Sequence, residues 1–239
     1  MIPFLAPFFP GDWRVHGETL RLAPTGGLPV PALLSEPATL RAVLADYREA
    51  RWPDADPRAV ASAWTLRYLW ALLAPVVAAI GGAGRAVPCA AADMRLLLDA
   101  THAPQAFCVS EAGARAAPAD PWRRYEELVW GHLAPLAEAM WQAARLPRKV
   151  VWAGALRYLD VLFDALRTAA ALPVPERELL FGAPQWAYGE RANPLCLPPR
   201  RPPAGGCGPV YRECCLYYLL PGEGQCAACP LPAREAVQA

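Results

Sequence analysis

The chain has 239 residues, 55% of them hydrophobic, and a formal net charge of +1. That is material for one large domain, or a body with a small appendage, and a charge too near neutral to favour nucleic acid or an acidic membrane surface as partner. Eight cysteines do not demand a disulfide framework in a chain this long with nine tryptophans, and four of them clustered at metal-like spacing favour a reducing compartment.

Residues 1–35 are rich in proline and glycine and hold no long periodic pattern. Met1 to Pro10 is apolar, lacks a basic start and is interrupted by Pro3, Pro7 and Pro10. It reads as an extended arm packed on the body rather than as an export signal. Thr19 to Leu22 reads as a short strand before a Gly26-Gly27 turn. Ser35 is placed to cap a helix that begins at Glu36-Pro37 and runs to about Arg51, with Leu40, Val43, Leu44 and Tyr47 inward. Asp56-Pro57 opens a second helix, continuing to about Ile80, with Trp64, Tyr68, Leu72 and Val76 in one stripe and Pro75 bending it. The uncharged run from Tyr68 to Gly84 is shorter than the roughly 20 residues that span a bilayer, so a buried helix is the better reading.

Met94 to Asp99 and Gln105 to Val109 read as two strands of a small hairpin. Asp120-Pro121 begins a third helix, about Trp122 to Ala144, facing inward with Tyr125, Val129, Leu133, Leu136 and Met140. Pro147 stops it. Another helix runs from about Arg148 to Ala170, burying Val151, Ala155, Tyr158, Leu159, Leu162 and Phe163; the short connection makes the two antiparallel neighbours. Glu176 to Phe181 adds a last turn of helix. From Ala183 proline and glycine rise again, as in Pro198-Pro199-Arg200-Arg201-Pro202-Pro203, and read as a semi-rigid linker. The expected fold is mainly α with a small β-hairpin (α+β). Residues 1–195 form a helical body, and 196–239 a Pro/Gly-rich linker with a cysteine-bearing C-terminal segment.

That segment holds Cys214 and Cys215 side by side, a ten-residue spacer, then Cys226-Ala227-Ala228-Cys229. Thiolates are soft ligands that select zinc, copper(I) or iron–sulfur clusters. The adjacent pair departs from the Cys-x(2–4)-Cys turn of zinc knuckles, whereas a 2Fe–2S cluster spreads its anchor points over two irons. Spacing alone leaves both open. Pro221, Gly222 and Gly224 suit a turn that brings the two pairs together.

With Tyr217-Tyr218 close behind the first pair and Pro230 after the last cysteine, the pattern Cys-Cys-x10-Cys-x2-Cys resembles the FhuF-like ferric-siderophore reductases. The resemblance is specific over the last thirty or so residues and general over the helical, Trp- and Leu-rich body. It implies a 2Fe–2S cluster on Cys214, Cys215, Cys226 and Cys229. It also implies one-electron reduction of siderophore-bound Fe(III) to Fe(II), releasing iron in the cytoplasm. No nucleotide motif is evident, since Gly81-Gly82-Ala83-Gly84 follows a helix rather than a strand. Electrons would then come from an external donor, a reductase or a ferredoxin-like protein, and membrane contact would be peripheral, with a siderophore transporter.

Other residues weigh less. Cys196 and Cys207 repeat the ten-residue spacing and could exchange as ligands, but read more plainly as free thiols. Cys89 and Cys108 read as small core residues. Arg200, Arg201 and Arg212 could raise the cluster's potential or attract an anionic chelate, or simply belong to a solvated linker. Tyr217 and Tyr218 would shield the cluster. His16, His102 and His132 share no metal spacing and read as polar surface or core groups. The competing functions are an iron–sulfur redox sensor and a helical interaction module with a structural zinc tail.

Overall fold

The computed structural model describes residues 1–22, 26–113, 115–170, 176–196, 211–226 and 228–231. In chain order its helices and strands are α1 (Arg14–Gly17), β1 (Leu20–Leu22), β2 (Leu28–Pro29), α2 (Val30–Ser35), α3 (Pro37–Arg51), α4 (Pro57–Val77), β3 (Arg85–Ala86), β4 (Arg95–Leu98), β5 (Pro104–Val109), β6 (Arg115–Ala116), α5 (Pro121–Glu126), α6 (Ala134–Ala144), α7 (Arg148–Ala170) and α8 (Glu176–Gly182). The class is α+β, a helical body with a small mixed sheet.

The body is built round α4. Asp56 caps it by accepting the Arg58 backbone N–H at 2.8 Å, and Pro57 fills the first turn, where no N–H is needed. The Trp64, Tyr68, Leu72 and Val76 stripe is buried, but so is nearly everything else on the helix. Past Arg58, only Leu66, Arg67 and Trp70 escape full burial, and they lie on one flank. A helix apolar all round belongs inside a protein or a membrane. Pro57–Gly82 is the one helical stretch among the described residues long and apolar enough to cross a bilayer, and 83% of its most apolar window is buried. Its apolar surface is taken up by the core.

Pro75 has no N–H to give the Ala71 carbonyl, and the Thr19 hydroxyl takes its place at 2.8 Å. The helix then widens into a π-helical turn at Ala78–Gly82 rather than running on as α to Ile80. The most extensive helix packing is of α7 on α4. Gly154 permits it: a Cβ there would lie 3.1 Å from Leu69 Cδ1 and 3.2 Å from Leu66 Cδ2.

Several expectations need correction. Ser35 ends α2, and Glu36 stands at the start of α3, its carboxylate accepting from Thr39 Oγ1 at 2.8 Å. The N-terminal arm does pack on the body through Ile2, Leu5 and Phe9, but Pro3–Phe8 is a 3-10 helix and not extended. The hairpin β4–β5 exists, yet it is half of a four-stranded sheet of order β1-β5-β4-β2, with β1 parallel to β5. The two- and three-residue flanking strands are too short to show a period.

The third helix is interrupted by a π-helical segment, Glu127–Leu133, between α5 and α6, while all five of its expected inward residues are buried. On α7, Tyr158 and Leu162 are only half-buried. Residues 183–196 are not linker: Trp186, Asn193 and Leu195 are buried, and Gln185 pairs with Ala192. The proline-rich stretch from Pro198 to Pro203, Gly205-Gly206 and Cys207 lies outside the described residues.

The π-helical segment has a physical use. It carries His132, fully buried, whose Nδ1–H donates to the Cys89 carbonyl at 2.8 Å while Nε2 accepts from the Tyr68 hydroxyl at 2.6 Å. Because a carbonyl only accepts, the proton sits on Nδ1. Glu127 accepts the next two backbone N–H groups, of Cys89 and Ala90, both at 2.8 Å. Burial pushes the His132 pKa down to about 4. Between about pH 6.5 and 4 the unfolded chain therefore takes up a proton that the native state refuses, and stability falls as pH falls. Denaturant titrations should show a loss on the order of 3 kcal/mol across that window from this group. His132→Gln should be less stable at pH 7 but flatter below it.

Candidate functional site

Among its described residues the C-terminal segment has a single 3-10 turn, at Tyr217–Leu219, so discrete contacts fix it. Ser62 of α4 donates its hydroxyl to the Cys215 carbonyl at 2.7 Å, in a buried setting. Leu220 enters the main hydrophobic core. The Arg157 guanidinium of α7 stacks on the Tyr211 ring at 3.8 Å, and Lys149 pairs with Glu213 at 3.0 Å. Two helices packed on each other thus hold one short strip of chain.

Within the strip, local turns bring the cysteines together. Glu223 N–H returns to the Leu220 carbonyl, with Pro221 and then Gly222 at φ +79° between them, the arrangement of a type II turn. Tyr211 N–H reaches the Ala228 carbonyl at 2.9 Å, closing the two arms, and Cys229 N–H bonds to the Cys226 carbonyl. Leu216 adopts a left-handed φ of 60° directly after the adjacent pair, and its N–H points back to Cys214 Sγ at 3.4 Å. The Cys214 thiol lies close enough to Cys229 and Cys215 for them to raise its pKa, and Cys226 close enough to Cys215 and Cys229.

All four cysteines are outside any disulfide, Cys215 buried and the other three half-buried. Burial pushes the Cys214 thiol up to about 11, against the opposing Leu216 N–H. Cys226 is raised by burial and by Cys215, and lowered by the Arg157 charge. Both shifts favour the protonated thiol at Cys214 and Cys226, and binding of metal at those positions must release the proton.

One pair, Cys215 and Cys226, forms part of the wall of an open cleft of about 510 Å³. The cleft is also lined by Arg67 and Trp70 from the open flank of α4, Arg157 and Tyr158 from α7, and Tyr217. Tyr217 and Tyr218 are half-buried, in keeping with a shielding role. Of the arginines singled out in the sequence, Arg212 is half-buried, and Arg200 and Arg201 lie outside the described residues. Cys196 is held in a separate turn, its N–H on the Asn193 carbonyl, and Cys89 and Cys108 are core residues as expected. His16 accepts from Trp70 Nε1 and His102 sits at the β4–β5 turn, so neither joins the site.

Sequence reading missed Ser62, Arg67 and Arg157. A signal existed for the arginines: Arg67 is the sole charge between Arg58 and Arg85, and Arg157 the sole charge in 150–159. A lone cation on an apolar helix calls for a specific neighbour.

Ser62→Ala leaves the buried Cys215 carbonyl without its donor, at a cost on the order of 1–3 kcal/mol. Hydrogen exchange should show the amides of 215–220 opening roughly tenfold or more faster, with α3 unchanged. Equal acceleration in both would make Ser62 a general core residue.

Residues 62–201 match the family described as ferric iron reductase FhuF-like transporter, and residues 212–231 match the FhuF 2Fe-2S C-terminal domain. No individual curated protein matches the chain. The cofactor indicated is a 2Fe–2S cluster, and the site suits it. Four soft thiol donors lie in one short strip, with Cys214 and Cys226 each influenced by two of the others, as a donor set for a two-iron centre requires. The chain belongs to the FhuF-like ferric iron reductase family, with a 2Fe–2S cluster as its cofactor.

Proposed function

We propose that the protein reduces siderophore-bound Fe(III) to Fe(II) in the cytoplasm, one electron at a time, with Cys214, Cys215, Cys226 and Cys229 as the ligands of its cluster. The observation that carries the reading is the placement of the Cys215–Cys226 pair in the wall of a cleft large enough for a chelate. Bound there, the cluster supplies the one-electron donor. Siderophore oxygens are hard donors that hold the highly charged Fe(III), and they hold Fe(II) more weakly, so reduction is itself the release step. The electron is replaced by an external donor, a reductase or ferredoxin-like protein. Residues 1–195 serve as the body and 196–239 as the cluster-bearing segment.

The chain's own residues orient, shield and tune. Ser62 fixes the backbone of Cys215. Tyr217 and Trp70 restrict water at the thiol wall. Arg157 places a positive charge that already lowers the Cys226 pKa; the same field favours the added negative charge of a reduced centre.

Anaerobically purified protein should contain about two irons and two sulfides and become paramagnetic on dithionite reduction. It should then turn over ferric siderophores. Cys226→Ser should lose the visible cluster and the reduction together; full-rate reduction by that variant would show another electron source. About one zinc per chain and no visible absorption would leave the structural-tail reading. A reducible cluster without ferric-chelate turnover would leave the redox sensor. Arg157→Gln should lower the midpoint potential on the order of 50 mV while keeping the cluster spectrum.

A further inference from the structure

The cleft has a charge character that constrains what enters it. Arg67 is exposed on α4 and Arg157 is half-buried on α7, and both line the same space. Neither makes an ion pair among the described residues, and Arg157 Nε is buried without a hydrogen-bond acceptor. Among the described residues, no aspartate or glutamate lines the cleft. The remaining walls are aromatic. Trp70 and Tyr158 meet edge-on with centroids 5.2 Å apart, and Tyr217 lies beside the thiols. Trp70 Nε1–H is already engaged by His16 at 2.9 Å, so the indole offers its face rather than a donor. Burial pushes the Tyr158 hydroxyl up to about 12, which keeps it a neutral donor.

Two guanidinium groups outside salt-bridge distance of any described carboxylate, Arg67 with Asp99 only at longer range and Arg157 against the Tyr211 ring, together with phenol donors form a receptor for anionic oxygen. Guanidinium binds carboxylates and other oxyanions through paired, charge-assisted hydrogen bonds. A neutral complex would displace water from both cations and return only hydrogen bonds to uncharged acceptors, weaker than those to an anion, so the site discriminates by charge. We propose that the cleft selects ferric chelates of net negative charge, the tris-catecholate and hydroxycarboxylate complexes, over neutral tris-hydroxamate complexes. Arg67 and Arg157 grip the ligand oxygens, and Trp70 and Tyr158 pack against its organic shell. This specificity rests on the reading of the cleft as the chelate site.

Gallium(III) complexes match the charge and shape of the ferric ones but accept no electron, so they separate binding from reduction. Protein carrying its cluster is titrated with gallium tris-catecholate, gallium citrate and a neutral gallium tris-hydroxamate, following tryptophan fluorescence. Both anionic complexes should bind about tenfold or more tighter than the neutral one. Arg67→Gln should remove most of that preference while changing the neutral complex's Kd less than about twofold, and Arg67→Lys should restore part of it. An unchanged cluster spectrum confirms that each variant is folded.

Equal affinity for neutral and anionic complexes would overturn the proposal. So would a preference for the tris-catecholate alone that survives in Arg67→Gln, which would assign selectivity to the aromatic walls. Tight anion binding by a protein that reduces no ferric chelate would instead remove the reductase reading and leave the charge selectivity standing.

Discussion

The thiol-bearing strip meets the body through little regular structure, and its position depends on a buried hydrogen bond between Ser62 and the Cys215 carbonyl. A buried carbonyl without a donor is costly, so the bond acts less as an attraction than as a restriction on where that residue can go. Cys215 and Leu220 are both buried against the body, so the chain enters and leaves the anchored stretch at fixed places. Between them Leu216 takes a left-handed conformation that a bulky residue adopts only when its surroundings impose it. The route from thiol to cleft is therefore set by backbone contacts, with side-chain chemistry added onto a fixed frame.

The cleft follows from the same helix. A helix buried on nearly every side requires neighbours all round, and α4 receives them from α7, α3, α6 and the sheet. Tyr68 packs edge-on against Phe107 of β5 at 4.8 Å and bonds to His132, which ties the helix to the sheet and to the π-helical segment. The flank of Leu66, Arg67 and Trp70 is left open, and the C-terminal strip stands across from it. Thr19 satisfies the carbonyl freed by Pro75 and also lines the cleft with Ala71. A kink-forming proline and an accessible cavity are joined at one repaired hydrogen bond.

The sequence is most informative where chemistry is dense in a short window. Four cysteines in sixteen positions, with a Pro-Gly turn between them, mark a candidate ligand set and show how the arms meet. Long amphipathic stretches such as α3 and α7 are legible from their spacing, and Asp56-Pro57 marks a helix start correctly. Short elements are not. β2 has two residues and pairs with β4 from across the chain, a contact no local pattern encodes. The break in the third helix is hidden because a π turn keeps the apolar face while inserting a residue. Residues 183–196 mislead through composition: proline and glycine suggest a linker, but Trp186 and Leu195 are buried and Asn193 donates to the Leu180 and Ala183 carbonyls. Ser62 passes unnoticed because one serine in an apolar helix is common and its partner lies 153 residues away.

The ion pair between Lys149 and Glu213 has a practical consequence. Lys149 is the only lysine in the sequence, and it is well exposed, while its partner immediately precedes Cys214. Amine-directed reagents therefore have one side chain to find besides the amino terminus, and that side chain borders the metal-bearing strip. A dye or spin label placed there would sit at the boundary between α7 and the strip, and would register separation of the two without any change to the cysteines.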